Sequence, residues 1–107
     1  MNSRLIVLPE AVDDAVEAFR WYELRSPGLG ERFLSQVDDC INQICRQPEL
    51  FELVYKLYRR AIVRDFPYVI FYTSRDDTVI IASIFHSAQN PKKWRKRLKG
   101  LSPRPLP

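Results

Sequence analysis

The chain of 107 residues has no apolar run near the ~20 residues needed to cross a bilayer. Its N-terminus lacks the basic, then apolar, then small-residue order of a secretory signal, so a cytoplasmic protein with no membrane partner is expected. Cysteine is scarce. Cys40 and Cys45, five positions apart on one predicted helix, point to different sides of it and cannot pair within it. No cysteine or histidine partners stand at zinc spacing, so no metal site and no other cofactor is expected. Repeats, low-complexity tracts and a second domain are also missing. The length suits one domain with one core, and 46% apolar with 28% charged residues is an ordinary globular balance.

Acidic residues are nearly absent from one half. Residues 1–54 hold five Arg/Lys and ten Asp/Glu, a balance of −5, whereas residues 55–107 hold twelve Arg/Lys and three Asp, a balance of +9. Solubility alone does not require that segregation. A one-sided basic surface is the footprint expected for a polyanionic partner.

What is present is concentrated between Leu57 and Trp94, which carries most of the β-branched and aromatic residues. Two breakers, Asp65-Phe66-Pro67 and Ser74-Arg75-Asp76-Asp77, divide it into Arg59–Asp65, Tyr68–Tyr72 and Thr78–Phe85. These read as an antiparallel meander. A first strand is expected over Arg4–Leu8. Pro9 then suits a helix start, and Val12, Ala15, Val16, Phe19 and Tyr22 form one stripe of an amphipathic helix to about Arg25. Trp21 and Leu24 lie off that stripe. Ser26-Pro27-Gly28 ends it, and Phe33, Val37, Cys40, Ile41 and Ile44 mark a second helix from about Gly30 to Arg46. Glu49–Lys56 reads as a connection pinned to the core by Leu50, Phe51 and Leu53. The strands YVIFY and VIIASIF are apolar on both faces, which places them centrally with helices behind. Asn90-Pro91 predicts a last short helix whose apolar edge is Trp94 and Leu98, with six cations between Lys92 and Lys99. The expected architecture is α+β: a four-stranded, mostly antiparallel sheet backed by a helical hairpin, plus a short basic C-terminal helix. One domain is expected over 1–101, with a disordered Pro-rich tail over 102–107.

Three segments, FRWYELRSPGLGERFLSQVDDCINQI (Phe19–Ile44), RRAIVRDFPYVIFY (Arg59–Tyr72) and IASIFHSAQNPKKW (Ile81–Trp94), together resemble the RelE/ParE superfamily of toxin–antitoxin toxins. The resemblance runs from about Leu5 to Arg97 and implies the same sheet and hairpin. It also implies a type II system in which a cognate antitoxin wraps the toxin in a hetero-oligomer. RelE-like members cut mRNA in the ribosomal A site; ParE-like members poison DNA gyrase.

RNA cleavage through the 2′-hydroxyl needs a base, an acid for the leaving oxygen and cations on the phosphorane. His86, at the end of the last strand, is the one candidate histidine. Arg60 and Arg64, on one face of the preceding strand, could hold phosphates, and Tyr68 and Tyr72 could stack a base or supply a weak acid. The set departs from the nuclease pattern. Val69 stands where RelE-like strands carry arginine, Gln89 and Asn90 replace an arginine and an aspartate, and Lys56 stands without the second lysine of a Lys-x-Lys pair. The ParE-like branch is therefore favoured. Arg60, Arg64, Lys92, Lys93, Trp94 and Arg97 form the expected target surface, and Trp21 with Leu24 the expected antitoxin surface. The alternative is a metal-independent, ribosome-dependent mRNA endonuclease using His86 with Arg60 and Arg64. A third reading is a decayed relative that only binds an antitoxin.

Overall fold

The computed structural model describes residues 4–100, so the predicted tail over 102–107 lies outside the described residues. In chain order the elements are β1 (Arg4–Val7), α1 (Pro9–Arg25), α2 (Leu29–Arg46), β2 (Glu52–Tyr55), β3 (Tyr58–Ile62), β4 (Tyr68–Arg75), β5 (Thr78–His86) and α3 (Pro91–Gly100). They form one mixed sheet in the order β1-β5-β4-β3-β2, with β1 parallel to β5 and every other pair antiparallel. The sheet therefore has five strands, not four. The added strand is β2, in the stretch read above as a connection. Its two-residue link to β3, Lys56-Leu57, carries no Gly or Asn, yet Lys56 takes the left-handed conformation at φ 50° that such a link requires. By contrast, Asp76 and Asp77 joining β4 to β5 both have positive φ, 48° and 62°. Short acidic side chains tolerate that region, which makes this turn the readable one.

The core lies between the sheet and the hairpin. Phe33, Val37, Cys40, Ile41 and Ile44 are buried along α2, as the periodicity predicts. The α1 helix is turned from its predicted phase. Ala11, Ala18 and Tyr22 are buried, whereas Val12 and Val16 are 46% and 39% exposed. Small alanines let α1 lie close against β5, and the valines stay outside. The two helices also meet closely: a Cβ added at Gly30 would stand 2.7 Å from the Phe19 carbonyl oxygen. Glu23 of α1 caps α2 from outside. Its Oε1 accepts from the Gly30 and Glu31 N–H groups at 2.8 and 3.3 Å, and its Oε2 from Gly28 at 3.2 Å. That satisfies donors which the helix's own start leaves orphaned. Of the residues expected to pin the connection, Phe51 packs on the core, but Leu50 and Leu53 are 60% and 51% exposed. The segment is held instead by Arg59, whose guanidinium donates to the Glu49 and Phe51 carbonyls, and by the Tyr72 hydroxyl, which donates to the Pro48 carbonyl at 2.6 Å.

The opposite side of the sheet has its own apolar layer. Tyr58, Val69, Phe71 and Ala82 gather with Leu98 of α3, which is fully buried. The indole of Trp94 stacks on Phe71, centroids 4.7 Å apart. The basic C-terminal helix is thus a structural layer over β4 and β5, while Ile62 of β3, at 70% exposure, stays uncovered.

Candidate functional site

Side-chain alternation along the strands decides which candidates can work together. Arg60 pairs with Phe71 and Ile62 with Val69, which places them on the α3 side of the sheet. His86 pairs with Tyr68, one position out of phase with Val69, and so belongs to the other side. The rings agree: Tyr68 lies 4.9 Å from Phe33 of α2, and His86 lies 5.2 Å from Tyr68. His86 and Arg60 therefore stand on opposite faces of the sheet. Arg64 lies beyond the end of β3, exposed in the turn before β4. Arg60 is itself engaged, with Nη2 3.1 Å from Glu52 Oε2 across the β2–β3 pair. His86 and Arg60 do not converge on one side of the sheet.

His86 instead faces a groove of about 780 Å³ between α1, the end of β5 and α3, lined by Asp14, Glu17, Trp21, Tyr68 and Lys93 among others. Its Nδ1 accepts the Ala88 N–H at 3.1 Å. Burial, then the neighbouring Tyr22, Glu17 and Asp14, push the Tyr68 phenol above its ordinary pKa, which makes it a poorer acid for a leaving oxygen. Tyr72 is pushed up to about 12, by burial first. It faces the core with its hydroxyl committed to Pro48, away from any solvent-facing surface. Burial likewise pushes the Cys40 thiol up to about 11, and its Sγ lies 3.7 Å from the Ile62 carbonyl oxygen. That is an inert thiol. Among the described residues no group of His, Cys, Asp or Glu could hold a metal ion.

On α3 the cations divide. Arg97 turns inward, its Nη2 and Nη1 binding Asp14 at 2.8 and 3.2 Å, with the guanidinium 4.9 Å from the Phe85 ring centroid. Asp14 also accepts the Ile84 N–H at 3.0 Å, so one carboxylate ties α1, β5 and α3 together. In the sequence Asp14 reads only as one of several acids at a helix start. Its role depends on segments 70 and 83 positions away, which no local pattern reports. Trp94 is half-buried in its stack on Phe71. Lys92 and Lys93 are exposed, as are Arg95, Lys96 and Lys99, which the candidate target surface did not include. On α1, Trp21 is 51% exposed with Arg25 lying 4.1 Å over its ring, and Leu24 is 89% exposed.

The elements define a small α+β class of domain, with a helical hairpin behind the sheet and a short basic helix in front of it. The comparisons narrow the class. Residues 5–91 match the family described as "ParE toxin of type II toxin-antitoxin system, parDE", and the chain belongs to that family. It is 30% identical over 101 residues to the protein named Toxin ParE2 in two strains of Mycobacterium tuberculosis, CDC 1551 / Oshkosh and ATCC 25618 / H37Rv, covering 94% of this chain and 96% of theirs. A solved structure titled "Chromosomal ParDE TA system from P. aeruginosa" shares the fold with a TM-score of 0.71 at 10% identity, covering 78% of this chain and 95% of that one. Among the described residues no helix is long and apolar enough to cross a membrane.

Proposed function

We propose that this ParE-family toxin arrests growth by binding DNA gyrase, and that a cognate antitoxin silences it. The observation that carries the choice of target class is the placement of His86 and Arg60 on opposite faces of the sheet. A nuclease would need them on one side of a bound phosphodiester. A binding toxin needs only an accessible surface, and Lys92, Lys93 and Arg64 provide a basic one.

The antitoxin contact falls on the outer side of α1, where Trp21 and Leu24 stand three residues apart and exposed. Aromatic and aliphatic anchors of this kind suit a helix or extended segment laid across the hairpin. Acidic residues in that segment would complement the basic face of α3.

The deciding experiment is controlled expression in a bacterial host, with supercoiling by purified gyrase measured beside a map of mRNA 5′ ends. Growth arrest with lost supercoiling and no new 5′ ends is the expected result. New 5′ ends at ribosome-occupied codons with supercoiling intact would overturn the reading in favour of the nuclease.

A further inference from the structure

Lys92, Arg95, Lys96 and Lys99 fall at i, i+3, i+4 and i+7, one face of a helix, and all four are exposed. Leu98, Trp94 and Arg97 occupy the other side of α3. Burial against the sheet, a ring stack and a two-pronged ion pair fix the helix in rotation, so the four cations face outward together. The α3 helix contains no acidic residue, and among the described residues none of the four has a carboxylate partner. Like charges at i, i+3 and i, i+4 repel one another along a helix. This helix therefore carries repulsion that its packing does not require and that a polyanion would relieve.

The composition of the stripe selects the kind of polyanion. It has no apolar or aromatic member, and its one aromatic contact among the described residues is the Arg95 guanidinium 5.2 Å from the centroid of the Trp94 ring, which also stacks on Phe71. Protein–protein contacts are depleted in lysine and built on buried apolar anchors, whereas contacts to a nucleic-acid backbone are made mainly by Lys and Arg on phosphates. From Lys92 to Lys99 the helix rises about 10 Å, comparable with three base-pair steps of a duplex.

We infer that the outer face of α3 is a duplex DNA backbone contact, made by Lys92, Arg95, Lys96 and Lys99 without reading sequence. The commitment to DNA rests on the gyrase reading, since gyrase works on duplex DNA. On that reading the toxin touches the substrate as well as the enzyme.

The test is anisotropy of a labelled 20-base-pair DNA duplex of mixed sequence, titrated with the full-length chain between 50 and 200 mM KCl with no gyrase present. Four neutralised phosphates give a slope in log K against log salt of about −3.6, or a loss of affinity of about 150-fold across that range. The variant Lys92→Gln/Arg95→Gln/Lys96→Gln/Lys99→Gln should weaken binding at 50 mM and flatten the slope by about that amount. Arg75→Gln, on the β4 end remote from α3, should leave the slope unchanged. An unaltered circular dichroism melt shows that the four-fold variant still folds. An unchanged slope in that variant overturns the inference, as does tighter binding of an RNA duplex or of an acidic peptide than of DNA. If gyrase inhibition survives while the duplex does not bind, the gyrase reading stands and this contact falls. Duplex binding without gyrase inhibition sinks the gyrase reading alone.

Discussion

Asp14 joins three elements through one carboxylate, to the Ile84 N–H and to Arg97. Its carboxylate is 12% exposed and the Arg97 side chain 27%, so the pair is largely removed from water. Replacing Asp14 by alanine leaves the Ile84 N–H without its acceptor, at a cost of about 1–3 kcal/mol for a buried donor. It also strands a guanidinium that is only partly able to turn to solvent. Breaking a buried pair from one side costs about 3–5 kcal/mol, and the partial exposure of Arg97 puts the sum near the lower end, about 3 kcal/mol. With a urea dependence of about 1.5 kcal/mol/M, the midpoint should fall by about 2 M. Asp14→Asn keeps one oxygen for Ile84 and should lose less, about 1–2 kcal/mol. The assay is urea unfolding followed by circular dichroism, with Arg97→Ala and the double variant completing a cycle. The double variant should lose clearly less than the two single losses added, because each single variant already removes the shared contact. A midpoint shift below about 0.3 M for Asp14→Ala, or strict additivity in the cycle, would refute the reasoning.

Two further outcomes follow from particular side chains. Ser83 is fully buried, and its Oγ finds no hydrogen-bond partner among the described residues, so Ser83→Ala should raise stability by about 1 kcal/mol. A loss of that size in a thermal melt would mean the hydroxyl has a partner. The Tyr72 phenol titrates near 12 in the fold against 10.0 when free, so the fold favours its neutral form. Its stabilisation is complete below pH 10, the free value, and is lost as pH rises through about 12. Tyr72→Phe should cost about 1 kcal/mol at pH 8 through the lost bond to Pro48 and should close that gap by pH 11.5. Equal loss of stability by both chains between those two pH values would count against it. Cys40 and the other buried tyrosines are common to both chains, so the difference isolates Tyr72.

Some of this was readable from the residues, and the exceptions have local causes. The α2 stripe was legible because its apolar positions are large and unambiguous. The α1 phase was not, because alanines at 11, 15 and 18 and valines at 12 and 16 offer two apolar faces. Periodicity weights the larger residue, whereas packing against β5 selects the smaller. The strand β2 was hidden by its four-residue length and by a turn that places Lys56 where Gly or Asn usually signals a hairpin. Trp94 and Leu98 were visible as an apolar edge, but not the layer of Tyr58, Val69 and Phe71 that receives them. The separation of His86 from Arg60 was beyond a sequence reading, since it depends on registers across two strand pairs. A one-residue change in either would have placed them on one face.

The same registers explain why the basic half of the chain does not behave as one surface. Arg60 is paired with Glu52, Arg59 holds two carbonyls of the β2 approach, and Arg97 is paired with Asp14. Each is a cation used to join segments, and two of them take an acid from the first half of the chain. Charge segregation in the sequence is therefore partly a folding device, because it matches acids before β3 with cations from β3 onward. Among the described residues, the outer face of α3 holds the largest group of exposed cations outside those pairings, with Arg64 and Lys93 standing apart from it. The surface left for a polyanionic partner is thus narrower than the net balance of +9 suggests. It is also fixed in direction by the three contacts of Trp94, Arg97 and Leu98 that hold the helix down.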